Sequence, residues 1–180
     1  FRLREFPWGC EHYLKTGRMM DENGLDALAD HDAILLGAVG APGIVPDHVS
    51  LWGLLLPIRK TFDQYVNLRP IKLLQGVPGR LVGKGPEDID FVVVRENTEG
   101  EYSGVGGRVH VGTRYEVAVQ SKIFTPTGTE RIMRYAFDLA RARNKSKSVV
   151  SVTKSNACNY SMVFWDEVFR EVARDYPDVE

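Results

Sequence analysis

With 180 residues, 43% of them hydrophobic and 26% charged, the chain is long enough to bury one large or two small globular cores. A net charge of −1 gives no electrostatic ground for a nucleic-acid or membrane-surface partner. No apolar run approaches the ~20 residues of a membrane helix and no basic start leads into an apolar signal segment, so the cytoplasm is the expected location.

The first segment, Phe1 to Thr16, contains Pro7 and Gly9 and reads as a possible strand followed by a loop or the start of a helix. Leu25, Leu28 and Ala29 then fall at helical spacing, and Ala33 to Gly37, AILLG, reads as a short buried strand. Helix followed by strand argues for an α/β protein. Glycines 37, 40 and 43 follow as GxxGxxG, which differs from the dinucleotide fingerprint GxGxxG. A plain turn-forming loop accounts for this run, while a functional loop would let a ligand approach the backbone at Gly40.

Ser50 is a candidate N-cap for a helix with Leu51, Leu55, Ile58, Phe62 and Tyr65 at intervals of three or four, and Pro57 should kink or split it. Pro70 in NLRP ends helix and turns VNLRPIKLL extended. A turn-rich connector leads to FVVVRENTEGEYSG, residues 91–104, whose valine run reads as a strand buried on both faces, of the kind found in parallel sheets. Gly104 to Phe124 alternates apolar and polar residues and suits antiparallel, half-exposed strands, either an ordinary hairpin or an arm that pairs with a second chain. Thr127 with Glu130 fits a capping box for a helix carrying Ile132, Tyr135, Ala136 and Leu139 and ending near Asn144. SVVSVT, residues 148–153, reads as another buried strand, and Phe164, Val168, Val172 and Tyr176 mark a last helix ended by Pro177.

The chemistry concentrates where apolar elements end. Arg59, Arg69 and Arg95 each follow or close such an element, and guanidinium binds carboxylate through two parallel hydrogen bonds. Singly each suits an ordinary ion pair; together in space they would need an anionic ligand. Tyr102, seven residues beyond Arg95, is either a half-buried core aromatic or a general acid. Lys154 stands at the end of 148–153, where ligands bind in α/β sheets, with Ser155 and Asn156 beside it. Asp166, Glu167, Glu171, Asp175 and Asp178 read as the solvated face of the last helix. Cys10 and Cys158 are far apart and the four histidines have no ligand spacing, so neither a disulfide framework nor an internal metal site is expected.

Three stretches, IRKTFDQYVNLRP (58–70), VRENTEGEYSG (94–104) and SVTKSNA (151–157), resemble the successive signatures of the β-decarboxylating dehydrogenases, which include the isocitrate, isopropylmalate, tartrate and D-malate enzymes. LGAVGAPGIVPDHVSLWG, residues 36–53, is most similar to the tartrate and D-malate branch. The resemblance implies that family's two-domain α/β fold, truncated, rather than a Rossmann fold. Residues 1–66 would belong to the first, cofactor-side domain and 67–180 to the second, substrate and dimerisation domain, with an arm at about 104–124.

It implies further that Arg59, Arg69 and Arg95 hold the carboxylates of a malate-type hydroxy acid, with Gly40, Trp52 and Leu55 on the cofactor side and NAD as hydride acceptor. Tyr102 would protonate the enol left after decarboxylation. Lys154, reaching across the interface of a homodimer, would take the hydroxyl proton. Mg²⁺ or Mn²⁺ would stabilise the enolate, through ligands expected beyond residue 180. Trp52, Leu54, Leu55 and Leu56 offer no hydrogen bond to a third carboxylate, which disfavours isocitrate, whereas Leu55 would accept an isopropyl group. 3-Isopropylmalate dehydrogenase is therefore the alternative, and a noncatalytic regulatory subunit of the same fold a second one, opposed by the presence of all three arginines, Tyr102 and Lys154. The chain opens on Phe1 and stops at Glu180 directly after a helix, which reads as a piece of a longer protein whose isolated 180 residues would be inactive.

Overall fold

The computed structural model describes residues 2–180, which divide into two compact units, the first ending at Gln64 and the second running Tyr65–Glu180. The first unit is helical: α1 (Cys10–Thr16), α2 (Gly24–Ala29), α3 (Asp47–Ser50), a π-helical turn (Leu51–Leu55) and α4 (Leu56–Thr61). Met19, Leu28, Val45, Leu54 and Ile58 form its buried core, flanked by Phe6, Trp8 and Tyr13. The helical stretch changes register at the predicted proline. The Leu56 N–H reaches five residues back to the Leu51 carbonyl, and Pro57, which has no N–H to give, then sits in the first turn of α4 where none is needed.

The expected strand Ala33–Gly37 is not one. Residues 33–40 have no ladder partner among the described residues, and Leu35 is 94% exposed. An apolar run records a tendency to be covered, but a strand also requires a neighbour's hydrogen bonds, and none is present there.

The second unit contains β1 (Val66–Lys72), β2 (Asp90–Glu96), β3 (Gly100–Val109), β4 (Val117–Ile123), α5 (Pro126–Arg143) and α6 (Ser161–Ala173). β1 and β2 form one antiparallel pair, with Asn67 opposite Arg95 and Val66 opposite Glu96. Strand periodicity sends Val66, Val92 and Val94 to one face and Asn67, Arg69, Val93 and Arg95 to the other. Val66 and Val94 pack on the core that α5 and α6 supply, in which Ile132, Met133, Phe137, Val172 and Tyr176 are buried. β2 is therefore covered on one face, not both: Phe91 is 51% exposed. The ring of Phe137 stacks on Tyr176 at 4.8 Å, and Tyr176 donates its hydroxyl to Asp138 at 2.9 Å. Burial and that carboxylate push the Tyr176 phenol up.

Residues 104–124 are the antiparallel hairpin that their alternation suggests, pairing Val105 with Ser121 and Val109 with Val117, but β3 starts earlier, at Gly100, and so carries Tyr102. The N-cap of α5 stands two residues before the expected one. Thr125 is the N-cap, accepting from the Gly128 N–H at 3.0 Å, while Glu130 pairs with Arg134 at 2.7 Å instead of closing a capping box. Pro126 explains the shift: its fixed φ and missing N–H belong at the first helical position, which puts the cap immediately before it. Residues 148–153 are extended without a strand partner; Val149 packs inward and Ser151 accepts from Trp165 Nε1 at 3.0 Å, but Val150 and Val152 are exposed. No helix among the described residues is long and apolar enough to cross a membrane.

Candidate functional site

The carboxyl end of β2 and the start of β3 bring the sequence candidates together. The Arg95 guanidinium donates from Nη2 to the Tyr102 hydroxyl at 3.0 Å and stacks over the same ring, 5.1 Å from its centroid. A cation held against a phenol oxygen favours any negative charge that develops there. On β1, Arg69 donates from Nε to Asn67 Oδ1 at 3.0 Å, and Asn67 donates from Nδ2 to Asn97 Oδ1 at 3.3 Å. Because Asn67 lies opposite Arg95 in the ladder, Arg69 and Arg95 share one sheet face, and Asn67 ties Arg69 to the loop 97–99 through Asn97.

That loop is held by carboxylates. Glu96, its side chain 7% exposed, accepts from Thr98 N–H and hydroxyl, both at 2.8 Å, and from Glu99 N–H at 2.7 Å. Arg131 from α5 lies 4.0 Å from Glu96, donates to Thr98 Oγ1 at 3.0 Å, and stacks on Tyr65. Glu99 accepts from Thr125 N–H at 2.9 Å and from its hydroxyl at 2.6 Å. Farther out, Glu101 pairs with Lys122 at 2.7 Å, and the ammonium beside it holds its carboxyl below the usual range.

A cleft of about 680 Å³ opens along β2, lined by Arg95, Glu96 and Tyr102 at the strand's carboxyl end, by Asp90, Arg143 and Lys145 at its start, and by apolar Val94, Met133 and Trp165. The Arg95 end suits a small anion; the apolar walls do not. Lys154 is exposed in a turn whose Lys154 carbonyl accepts from Ala157 and Cys158, and among the described residues no hydrogen bond or ion pair joins it to Tyr102. Arg59 lies half-buried on α4 in the first unit, together with the exposed Gly40, Trp52 (45% exposed) and half-buried Leu55. Lys60 Nζ sits 5.1 Å above the Trp52 ring. Among the described residues no group of three or more His, Cys, Asp or Glu could hold a metal ion.

Sequence reasoning singled out Arg95, Arg69 and Tyr102 but missed Asn67, Asn97 and Arg131. One signal was available for Asn67: it stands two residues from Arg69, hence on the same strand face. For the other two the relevant fact is the side chain each meets in the fold, Asn67 for Asn97 and Thr98 for Arg131.

The whole of residues 1–180 matches the family described as isocitrate/isopropylmalate dehydrogenase. The chain is 55% identical over 178 residues to the D-malate dehydrogenase [decarboxylating] of Escherichia coli (strain K12), a match covering 98% of this chain and 49% of that protein. It is 51% identical over 180 residues to a probable tartrate dehydrogenase/decarboxylase of Bacillus subtilis (strain 168), covering 100% of this chain and 49% of the relative. The fold superposes on isocitrate dehydrogenase from Methylococcus capsulatus with a TM-score of 0.79 and 28% identity, over 96% of this chain and 48% of that one. The chain thus spans about half the length of the relatives it matches.

Proposed function

Because this chain belongs to the isocitrate/isopropylmalate dehydrogenase family, we propose that the complete protein oxidises and decarboxylates a malate-type 2-hydroxy dicarboxylic acid, D-malate or tartrate, with NAD as the hydride acceptor. The observation that carries this reading is the Arg95–Tyr102 hydrogen bond at 3.0 Å on the sheet face shared with Arg69. In it, Arg69 and Arg95 hold substrate carboxylates through paired N–H donors, the role that the family likeness gives to Arg59 as well. Holding the acid in one orientation lowers the entropic part of the barrier before any bond breaks. Lys154 takes the hydroxyl proton as hydride leaves the adjacent carbon, giving a β-keto acid. As carbon dioxide leaves, Lys154 returns that proton to the carbonyl oxygen to give an enol; Lys154 then takes it back as Tyr102 protonates the carbon to give the ketone, with Arg95 stabilising the phenolate oxygen that remains.

Gly40 has φ of 142° and open space where a Cβ would stand, so its backbone is approachable, and we assign Gly40, Trp52 and Leu55 to the cofactor side. NAD, when bound, supplies the hydride acceptor. The described residues do not make the divalent-metal site that the family likeness implies. No step above runs through one. The β3–β4 hairpin, with Val105, Val109, Val117 and Val119 exposed, supports the reading of an arm that pairs with a second copy, an arrangement in which Lys154 serves the neighbouring subunit's site.

The test is an assay of the complete protein with NAD and Mn²⁺ against D-malate, tartrate, 3-isopropylmalate and isocitrate. NADH formation with one of the first two, in preference to the others, is expected; no NADH with any of the four overturns the reading.

A further inference from the structure

We propose that Glu99, whose backbone carbonyl accepts from the Tyr102 N–H at 3.3 Å and whose side chain bonds elsewhere, is a positioning residue for the Arg95–Tyr102 pair, and this rests on the dehydrogenase reading above. Arg95 closes β2 and Tyr102 lies near the start of β3, so their 3.0 Å hydrogen bond is set by the path of the chain between them. That path is held by Arg131 of α5, which donates to Thr98 Oγ1 at 3.0 Å, and by two carboxylates. Glu96 gathers Thr98 and the Glu99 N–H from inside the loop, at 2.7 to 2.8 Å. Glu99 fastens the loop to a different element: its carboxylate accepts from the Thr125 N–H at 2.9 Å and hydroxyl at 2.6 Å, at the N-cap of α5.

α5 runs for 18 residues and buries Ile132, Met133 and Phe137, so it is an anchor with little freedom to move. Its N-terminus also favours an anion, which adds to the two charge-assisted bonds. The seat is fitted: the space above Gly128 that a Cβ would fill is occupied by the Glu99 carboxylate, and Thr129 beneath is fully buried. Gly100, at φ 67°, then turns the chain directly from Glu99 into β3. With Glu99 released, Glu96 would still close the loop on itself and Arg131 would still hold Thr98 to α5, but the residue that leads directly into β3 would lose its hold on the α5 N-cap. The start of β3 would carry Tyr102 away from a guanidinium held by β1–β2 pairing.

The inference separates from a merely structural role in a double-mutant cycle on the complete protein. Glu99→Ala is expected to lower kcat about tenfold, the loss of about 1.4 kcal/mol from the barrier, and Glu99→Gln, which keeps an acceptor oxygen for Thr125, should recover most of it. In the Tyr102→Phe background Glu99→Ala should cost less than about twofold, because the group it positions is gone. Equal fold losses in both backgrounds, or unchanged kcat with only a lower melting temperature, would overturn the proposal. A second readout is independent of turnover: the Kd of malonate, an unreactive dicarboxylate, measured by calorimetry, should rise several-fold in Glu99→Ala as Arg95 loses its rigid partner. An unchanged Kd overturns it too. If the unsubstituted protein turns over none of the four acids, the dehydrogenase reading fails, while the malonate comparison still decides whether Glu99 positions an anion site.

Discussion

Replacing Gly128 by alanine sets two effects of opposite sign against each other. Alanine is favoured over glycine in a helix by about 1 kcal/mol at interior positions, and Gly128 lies in the first turn of α5, where somewhat less applies. Against that, the new Cβ would stand where the Glu99 carboxylate now lies. A carboxylate is the far end of a flexible side chain, so it moves aside at little steric cost. What is lost is its pair of bonds to Thr125, at 2.9 and 2.6 Å. Bonds to a charged group contribute about 1.5 kcal/mol each at the lower end of their range, and partial exposure brings the pair to about 2 kcal/mol together. Gly128→Ala is therefore expected to destabilise by about 1 kcal/mol. In a Glu99→Ala background the opposing effect is absent and the same substitution should stabilise, by up to about 1 kcal/mol. Urea unfolding of the four proteins measures this as midpoint shifts of opposite direction. The same sign in both backgrounds would refute the reasoning, since it would mean that Glu99 is not held on the α5 N-terminus in solution.

Tyr102→Phe should spare hydride transfer more than overall decarboxylation, seen as release of β-keto acid alongside NADH, whereas Arg95→Ala should act chiefly by raising KM; equal small effects on both would count against the assigned roles. Asn67→Ala should raise KM several-fold with kcat little changed, because it frees Arg69 from its 3.0 Å tether without touching Tyr102. Four carboxyls are held below their ordinary range: Asp90 by Lys145 and Arg143, Asp178 by Arg141, Glu101 by Lys122, and Asp88 by the Gly85 N–H and Lys84. A folded-state value below the unfolded one stabilises at pH above about 4, and that contribution disappears as pH falls through the folded-state values. Stability measured by urea midpoints should therefore drop steeply below about pH 4. Asp90→Asn, which unties the start of β2 from the end of α5, should flatten that drop, and an unaltered slope would show that these pairs do not persist in solution.

What could be read from the chain before folding was the chemistry of side chains, not the addresses of their backbone partners. Arg95 and Tyr102 were visible as a cation and a phenol at the end of a valine run, and the run did become β2. The hairpin at 104–124 and both long helices were legible from their periods, because a period of two or three to four survives whatever surrounds it. The partners of Glu96 and Glu99 were not legible. Their carboxylates act by meeting turn N–H groups and the start of another helix, and such meetings depend on φ and ψ at Asn97, Thr98 and Gly100.

The two strands that did not form make the complementary point. Ala33–Gly37 and 148–153 are as apolar as β2, yet Leu35, Val150 and Val152 stand in solvent. What distinguishes β2 is β1: seven residues whose Val66–Lys72 ladder satisfies its backbone, and whose Val66 shares the helix-covered face with Val94. An apolar run thus supplies only half the conditions for a strand. The other half is a neighbour with matching hydrogen bonds, and where that neighbour is β1 it also delivers Asn67 and Arg69 to the face where Arg95 waits. The pairing that makes the strand is the same pairing that assembles the site.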